Sequence, residues 1–351
     1  MTLRRALLVA AVATSVVLTL PACAGLNDPS DVDSLVAEGS SLSSASPTTP
    51  TTPTTDAATV SVPLVHSPSG GLRLYTTISV GGGAPFLVML DTGSTGLFVE
   101  PGVVGPEVTK TSTPFKVGYV SDSLETDLAT GSFSIGGVQT TQDITFGIVT
   151  TKQTEAIYGT EAQGIMGVAP VAAETASAGL LSPFVQLPAP YDQGFQVDIS
   201  ATDSGTLQIG RPTPSAQTVT TPLSTVPSPA SMSGTTFYNK DVTLCWTVGS
   251  NAANCGPTDL DTGAPKGMFD TSVAGDLTVD SGIVAPGQTL AVSTPAGAPL
   301  WTVTTGGTDA QNKFDVNSLA NGTLYNTGLG FYYAQVVGFD WVAGELQLTP
   351  Q

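Results

Sequence analysis

The tripeptide Asp-Thr-Gly occurs twice in this 351-residue sequence, at 91–93 within LVMLDTGSTGLFV and at 261–263 within TDLDTGAPKGMFD. Each aspartate ends an apolar or strand-like approach, and Gly93 and Gly263 let the chain turn tightly beneath the carboxylates. Thr92 and Thr262 place a hydroxyl beside each acid, and Ser94 adds a further donor next to Asp91. Two carboxyls held close together cannot both ionise easily, so one keeps a proton. Such a pair polarises a carbonyl with its protonated member while the other removes a proton from water. A lone Asp-Thr-Gly is an ordinary turn sequence; its repetition directs attention to Asp91 and Asp261.

Other hydrolytic machinery is poorly supplied. His66 is the sole histidine, so a Ser-His-Asp arrangement would depend on it, and a histidine-rich metal site is impossible. His66 stands at the entry to the folded part and reads as a surface or packing residue. The paired acids and water need no metal, nucleotide or organic cofactor. Ten Lys and Arg against 28 Asp and Glu give a formal charge of −18, which repels nucleic acid.

The elements that must position these acids are strands. Only 11% of residues are charged, while Gly, Pro, Ser and Thr abound, a composition of short strands and turns. Runs such as RLYTTISVGGG, GSFSIGGVQ, DITFGIVTT and GFQVDISATDSGTLQIG have strand-turn-strand grammar, with ATDSG as a hairpin turn. The best helical stretch, VAAETASAGLLSPFV, is short. The folded part is therefore all-β, and the repeated tripeptide suggests two lobes.

Ahead of this part lie an export signal and a tether. Arg4 and Arg5 precede an apolar run from Ala6 to Leu20, too short and wrongly flanked for a resident membrane span. LPAC, ending at Cys23, is similar to a bacterial lipobox, which implies cleavage before Cys23 and lipidation of its thiol; a plain secretory signal is the other reading. SSLSSASPTTPTTPTTDAAT is a flexible or semi-extended tether. The resulting division is signal peptide 1–22, tether 23–58, first lobe 59–205 and second lobe 206–351. In an oxidising compartment Cys245 and Cys255, in CWTVGSNAANC, are expected to form a disulfide closing a small loop, a pair of free thiols being the other reading.

Over residues 60 to 351 the sequence resembles the pepsin-like aspartic proteases. FLVMLDTGSTGLFV is similar to the first catalytic loop, VGYVSDSLETDLATGSFSIGG to the flap hairpin with Tyr119 at the flap tyrosine, and AQGIMGVAP to the segment packed beneath the first loop. TDLDTGAPKGMFDTSVAG resembles the second catalytic loop, and VVGFDWVAGELQL the closing segment. The nearest resemblance is to the protease domain of mycobacterial PE-type secreted proteins, with a lipoprotein signal and tether in place of the PE region. The resemblance implies a bilobal fold with a cleft between two β lobes, catalytic Asp91 and Asp261, loop support from Thr92, Gly93, Ser94, Thr262 and Gly263, and a flap closing through Tyr119.

Asp280 in TVDSGIVAP and Asp270 in MFDTSVAG compete with Asp261, and Asp-Ser-Gly also serves as a second motif in the family; the loop context favours Asp261. The family usually has Thr or Ser where Ala264 stands, so a hydrogen bond to Asp261 is expected to be missing, and Pro265 stiffens the same loop. The implied activity is endopeptidase cleavage of extended segments of exported or envelope proteins by a membrane-anchored, extracytoplasmic monomer. The alternatives are a catalytically silent binding or inhibitory lipoprotein of the same fold, and a structural lipoprotein in which both tripeptides are turns.

Overall fold

The computed structural model describes residues 58–351 apart from 68–72, 121, 152–153, 171–172, 200–203, 230–231, 233 and 321. The expected signal peptide, Cys23, the tether up to residue 57 and most of the ATDSG turn lie outside the described residues.

Strands form two large sheets, of 15 and nine strands, and a small two-stranded one. Period-two patterning explains the half-covered strands. In Val60–His66, Val62 and Leu64 point inward between exposed Ser61, Pro63 and Val65. The strands carrying the first tripeptide are apolar throughout because both their faces are covered: Phe86–Asp91 is nearly all buried, and Thr95–Val99 and Gly164–Val168 are wholly buried. Among the described residues helix is confined to fragments such as Glu155–Tyr158, Ala173–Ala176 and the 3-10 turn Phe184–Gln186, so the VAAETASAGLLSPFV stretch contributes only about one turn at each end.

The larger sheet contains the first lobe and more. Its path runs from Thr109–Gly118 through the Asp91 strand to Val60–His66, Ser204–Ile209 and Gly194–Asp198, then on to the C-terminal hairpin Gln335–Asp340 and Glu345–Pro350. Phe195 lies opposite Phe339 where the hairpin joins, and their rings stack at 4.8 Å. The end of the chain thus returns to the sheet where the first lobe began, a shared spine between the lobes. Strands between residues 241 and 326 form the second lobe's own nine-stranded sheet.

Both lobes thread a strand between the two arms of an Asp-Thr-Gly loop. In the first, Gly164–Val168 runs parallel to Phe86–Asp91, with Gly167 beside Asp91, and antiparallel to Thr95–Val99. In the second, Tyr325–Asn326 runs parallel to Asn254–Asp259 and antiparallel to Gly267–Asp270. The second frame is clamped by aromatics. Trp246 stacks on Tyr325 at 5.1 Å and meets Phe269 edge-on at 5.2 Å, while its indole N–H donates to Thr258 Oγ1. Cys245 and Cys255 sit opposite one another on adjacent strands and are joined by a disulfide, as expected.

Candidate active site

The two tripeptide loops meet and interlock through their threonines. Thr92 Oγ1 donates to the Leu260 carbonyl at 2.6 Å, and Thr262 Oγ1 donates to the Leu90 carbonyl at 2.8 Å. Each hydroxyl in turn accepts from the other loop's backbone: Thr262 N–H reaches Thr92 Oγ1 at 2.9 Å and Thr92 N–H reaches Thr262 Oγ1 at 3.1 Å. The four bonds are buried and related by an approximate two-fold, so each loop's position is set by the other lobe. One feature breaks this symmetry. Tyr332, fully buried in the turn Leu329–Tyr333, sets its hydroxyl 2.9 Å from Thr92 Oγ1 and 3.0 Å from the Leu260 carbonyl.

Within each loop the aspartate folds back onto the amides that follow it. Gly93 N–H and Ser94 N–H donate to Asp91 Oδ1 at 2.8 and 3.1 Å; Gly263 N–H and Ala264 N–H donate to Asp261 Oδ1 at 2.7 and 3.2 Å. The outer oxygens find different donors: Ser94 Oγ for Asp91 Oδ2, and Asn326 Nδ2, at 2.7 Å, for Asp261 Oδ2. The hydrogen bond expected to be missing at Ala264 is therefore supplied from another strand.

The two carboxyls face one another, each lying against the glycine of the other loop. The glycines allow this approach. A β-carbon on Gly93 would lie 2.5 Å from the Asp261 carboxyl carbon, and one on Gly263 2.7 Å from that of Asp91, closer than atoms can pack. Asp91 is only 4% exposed, whereas Asp261 is half-buried. Burial, and then the neighbouring Asp261, push Asp91 up to about 7, against the hydrogen bonds from Ser94 and Gly93. The arrangement can hold one proton between two carboxyls near neutral pH.

A buried ion cluster lies beneath the second acid. Lys240 Nζ donates to Asp259 Oδ2 at 2.5 Å and to Asp241 Oδ1 at 3.0 Å, and Asp241 Oδ2 accepts from Thr323 Oγ1 at 2.6 Å. Burial works against the Lys240 ammonium, but Asp259 and Asp241 outweigh it and hold the lysine above its usual range.

The remaining residues singled out in the sequence are elsewhere. Tyr119 lies half-buried in the turn joining the strands Thr109–Gly118 and Ser123–Gly131, its ring packed against the apolar cluster of Tyr75, Met89, Phe98 and Leu124, while Val120 beside it is exposed. His66 Nδ1 sits 3.2 Å from Tyr333 Oη, with the two rings stacked. Asp280 is exposed in a two-residue strand, bonded to Ser281, and Asp270 caps the 3-10 turn Thr271–Asp276 through Ser272 N–H. Asp261 is the one of the three candidates that meets Asp91. Asn326, Tyr332 and the Lys240 cluster carry no local sequence signal: Tyr-Asn-Thr-Gly reads as a turn, and Lys240 is one cation near several acids. Among the described residues no group of three or more His, Cys, Asp or Glu is arranged to hold a metal ion.

Two β lobes joined by a shared sheet, with a loop of each meeting at a pair of carboxyls, define the pepsin-like aspartic proteinase fold. The chain belongs to the family described as the PE-PGRS C-terminal aspartyl peptidase-like domain, whose model matches residues 59–341. Among solved structures it is similar to the aspartic proteinase from Irpex lacteus, with 19% sequence identity and a TM-score of 0.60 over 84% of this chain and 98% of that one. A search of curated proteins returned no match.

Proposed function

We propose that the protein is an aspartic endopeptidase that cleaves extended segments of exported or cell-envelope proteins, with Asp91 and Asp261 sharing one proton around a water molecule. The observation that carries this reading is the mutual approach of the two carboxyls, each seated against the other loop's glycine. The more buried Asp91 holds the proton, and Asp261, fixed by Gly263, Ala264 and Asn326, takes one from water. The hydroxide adds to the scissile carbonyl carbon as the Asp91 proton passes to the carbonyl oxygen, giving a neutral gem-diol. Asp261 then returns its proton to the amide nitrogen. The C–N bond breaks, and a gem-diol hydroxyl proton restores Asp91, leaving a carboxylic acid and an amine.

Peptide binds extended, its backbone hydrogen-bonding as an added strand, and the hairpin bearing Tyr119 closes over it. The same fold without turnover, as a binding or inhibitory lipoprotein, is the second reading, motivated by Ala264; the amide donated by Asn326 weighs against it. Exposure to a peptide library over about pH 3 to 8, with products sequenced by mass spectrometry, separates the two. Scissions that disappear in both Asp91→Asn and Asp261→Asn are expected. Scissions that persist in both variants, or none from the wild-type protein at any pH, overturn the peptidase reading.

A further inference from the structure

Because both lobes hang the same loop on the same strand frame, they can be compared position by position. In the first lobe Met89, two residues before the acid, pairs with Ile165, which faces Phe98. In the second, Asp259, two residues before the acid, pairs with Asn326, which faces Met268. Asn326 thus occupies the place of Ile165, and Ala264, three residues after its acid, that of Ser94. Met89 and Ile165 are buried hydrocarbon, while the second lobe buries an acid and an amide at the same two places.

Burying an amide is unfavourable unless its groups are paired. Both ends of Asn326 are paired: Oδ1 accepts from Gly328 N–H at 2.8 Å, and Nδ2 donates to Asp261 Oδ2 at 2.7 Å. The Gly328 bond settles the amide's orientation, since a backbone N–H only donates and so must face the oxygen. On the opposite acid the equivalent bond comes from a hydroxyl within the loop itself, Ser94 Oγ to Asp91 Oδ2.

We propose that Asn326 is a positioning residue for the acid pair, supplying to Asp261 Oδ2 the hydrogen bond that Ser94 supplies to Asp91 and so replacing the hydroxyl that Ala264 lacks. The proposal rests on the peptidase reading. An amide nitrogen donates and does not accept, so Asn326 fixes the plane of Asp261 with Oδ2 as an acceptor, the form that takes a proton from water. The groups around the pair are Asp259, bonded to Lys240, which also holds Asp241; Tyr332 from below; and Asp91 and Asp261 themselves. Lys240 holds the Asp259 carboxyl, leaving Asn326 as the direct neutral donor to the outer oxygen.

The test compares full-length wild-type protein with Asn326→Leu, and with Asn326→Leu carrying Ala264→Ser. Asn326→Leu is expected to lower kcat by about 10- to 100-fold with KM within about two-fold, the range for losing a hydrogen-bond partner that orients a functional group from behind. The acid limb of kcat/KM is expected to move to higher pH, because the pair loses a bond that favours its singly ionised form. Adding the serine hydroxyl should recover most of both effects, which a merely structural role for Asn326 would not produce. Unchanged kcat and pH profile, or a loss that Ala264→Ser leaves unrepaired in a protein with wild-type near-UV circular dichroism, overturns the proposal. If Asn326→Leu does not fold, Asn326→Ser with the same rescue gives the same decision. If the wild-type protein cleaves nothing, the peptidase reading fails and carboxyl-carbon NMR decides the positioning claim. The first ionisation step of the pair should then rise by roughly half a pH unit or more in Asn326→Leu and return with Ala264→Ser; an unmoved step overturns it.

Discussion

Asp91 loses its proton near 3.8 in an unfolded chain and near 7 in the folded site, where burial and then Asp261 disfavour its charge. Between those values the folded state binds the extra proton, so this residue's contribution to stability falls as pH rises through the window and levels off above it. Asp91→Asn abolishes the titration, so urea denaturation should show the variant gaining on the wild type from about pH 4 to 7; a constant difference would contradict the assignment. The glycines give a second expectation. Gly263→Ala drives a methyl group into the Asp91 carboxyl and should lower kcat/KM by at least about 100-fold, as small displacements of reacting groups do; activity within a few-fold of wild type would contradict the close approach. At this scale Asp91, Asp261 and their threonines are legible because a tripeptide carries them. Asn326 is not, since it meets Asp261 from 65 positions away, through a strand threading that no local pattern encodes.

The second loop rests on strands whose support is partly ionic. Lys240 has 17% of its side chain exposed and serves two acids that are more buried still. Removing one partner from such a group leaves charge uncompensated in the interior, at a cost of about 3–5 kcal/mol. Lys240→Met should lose that much in urea denaturation at neutral pH, and a loss below about 1 kcal/mol would show that the cluster is solvated. Trp246 clamps the same frame through Tyr325 and Phe269, so truncation to alanine is expected to cost about 3–5 kcal/mol by the same measurement; a loss under about 1 kcal/mol would contradict that role. Strand content was readable from alternation and turn residues, as in Gly194–Asp198, and the scarcity of helix from the shortness of any helical period. The pairing of Phe195 with Phe339 was not, because register between segments so distant in sequence is decided by tertiary packing.

At the scale of the whole molecule, the pair of acids exists only where the two lobes meet, held by threonines 170 positions apart. The repeated tripeptide made two lobes legible, while the shared sheet that joins them became visible only in three dimensions. Envelope anchoring is a proposal at this scale, carried by the Arg4–Arg5 signal, Cys23 and the Ser/Thr/Pro tether. Replacing Cys23 with Ser should move the protein from the membrane fraction to the soluble fraction, and unchanged retention would refute lipidation. The central claim is that Asp91 and Asp261 act as one unit, and the most direct test is kcat/KM on a cleaved peptide for Asp91→Asn, Asp261→Asn and the double variant. Each single substitution should cost at least about 1,000-fold, and the double variant little more than either, as for groups that work together. A single variant that retains activity within about ten-fold of wild type, or losses that multiply in the double variant, would contradict a shared-proton pair.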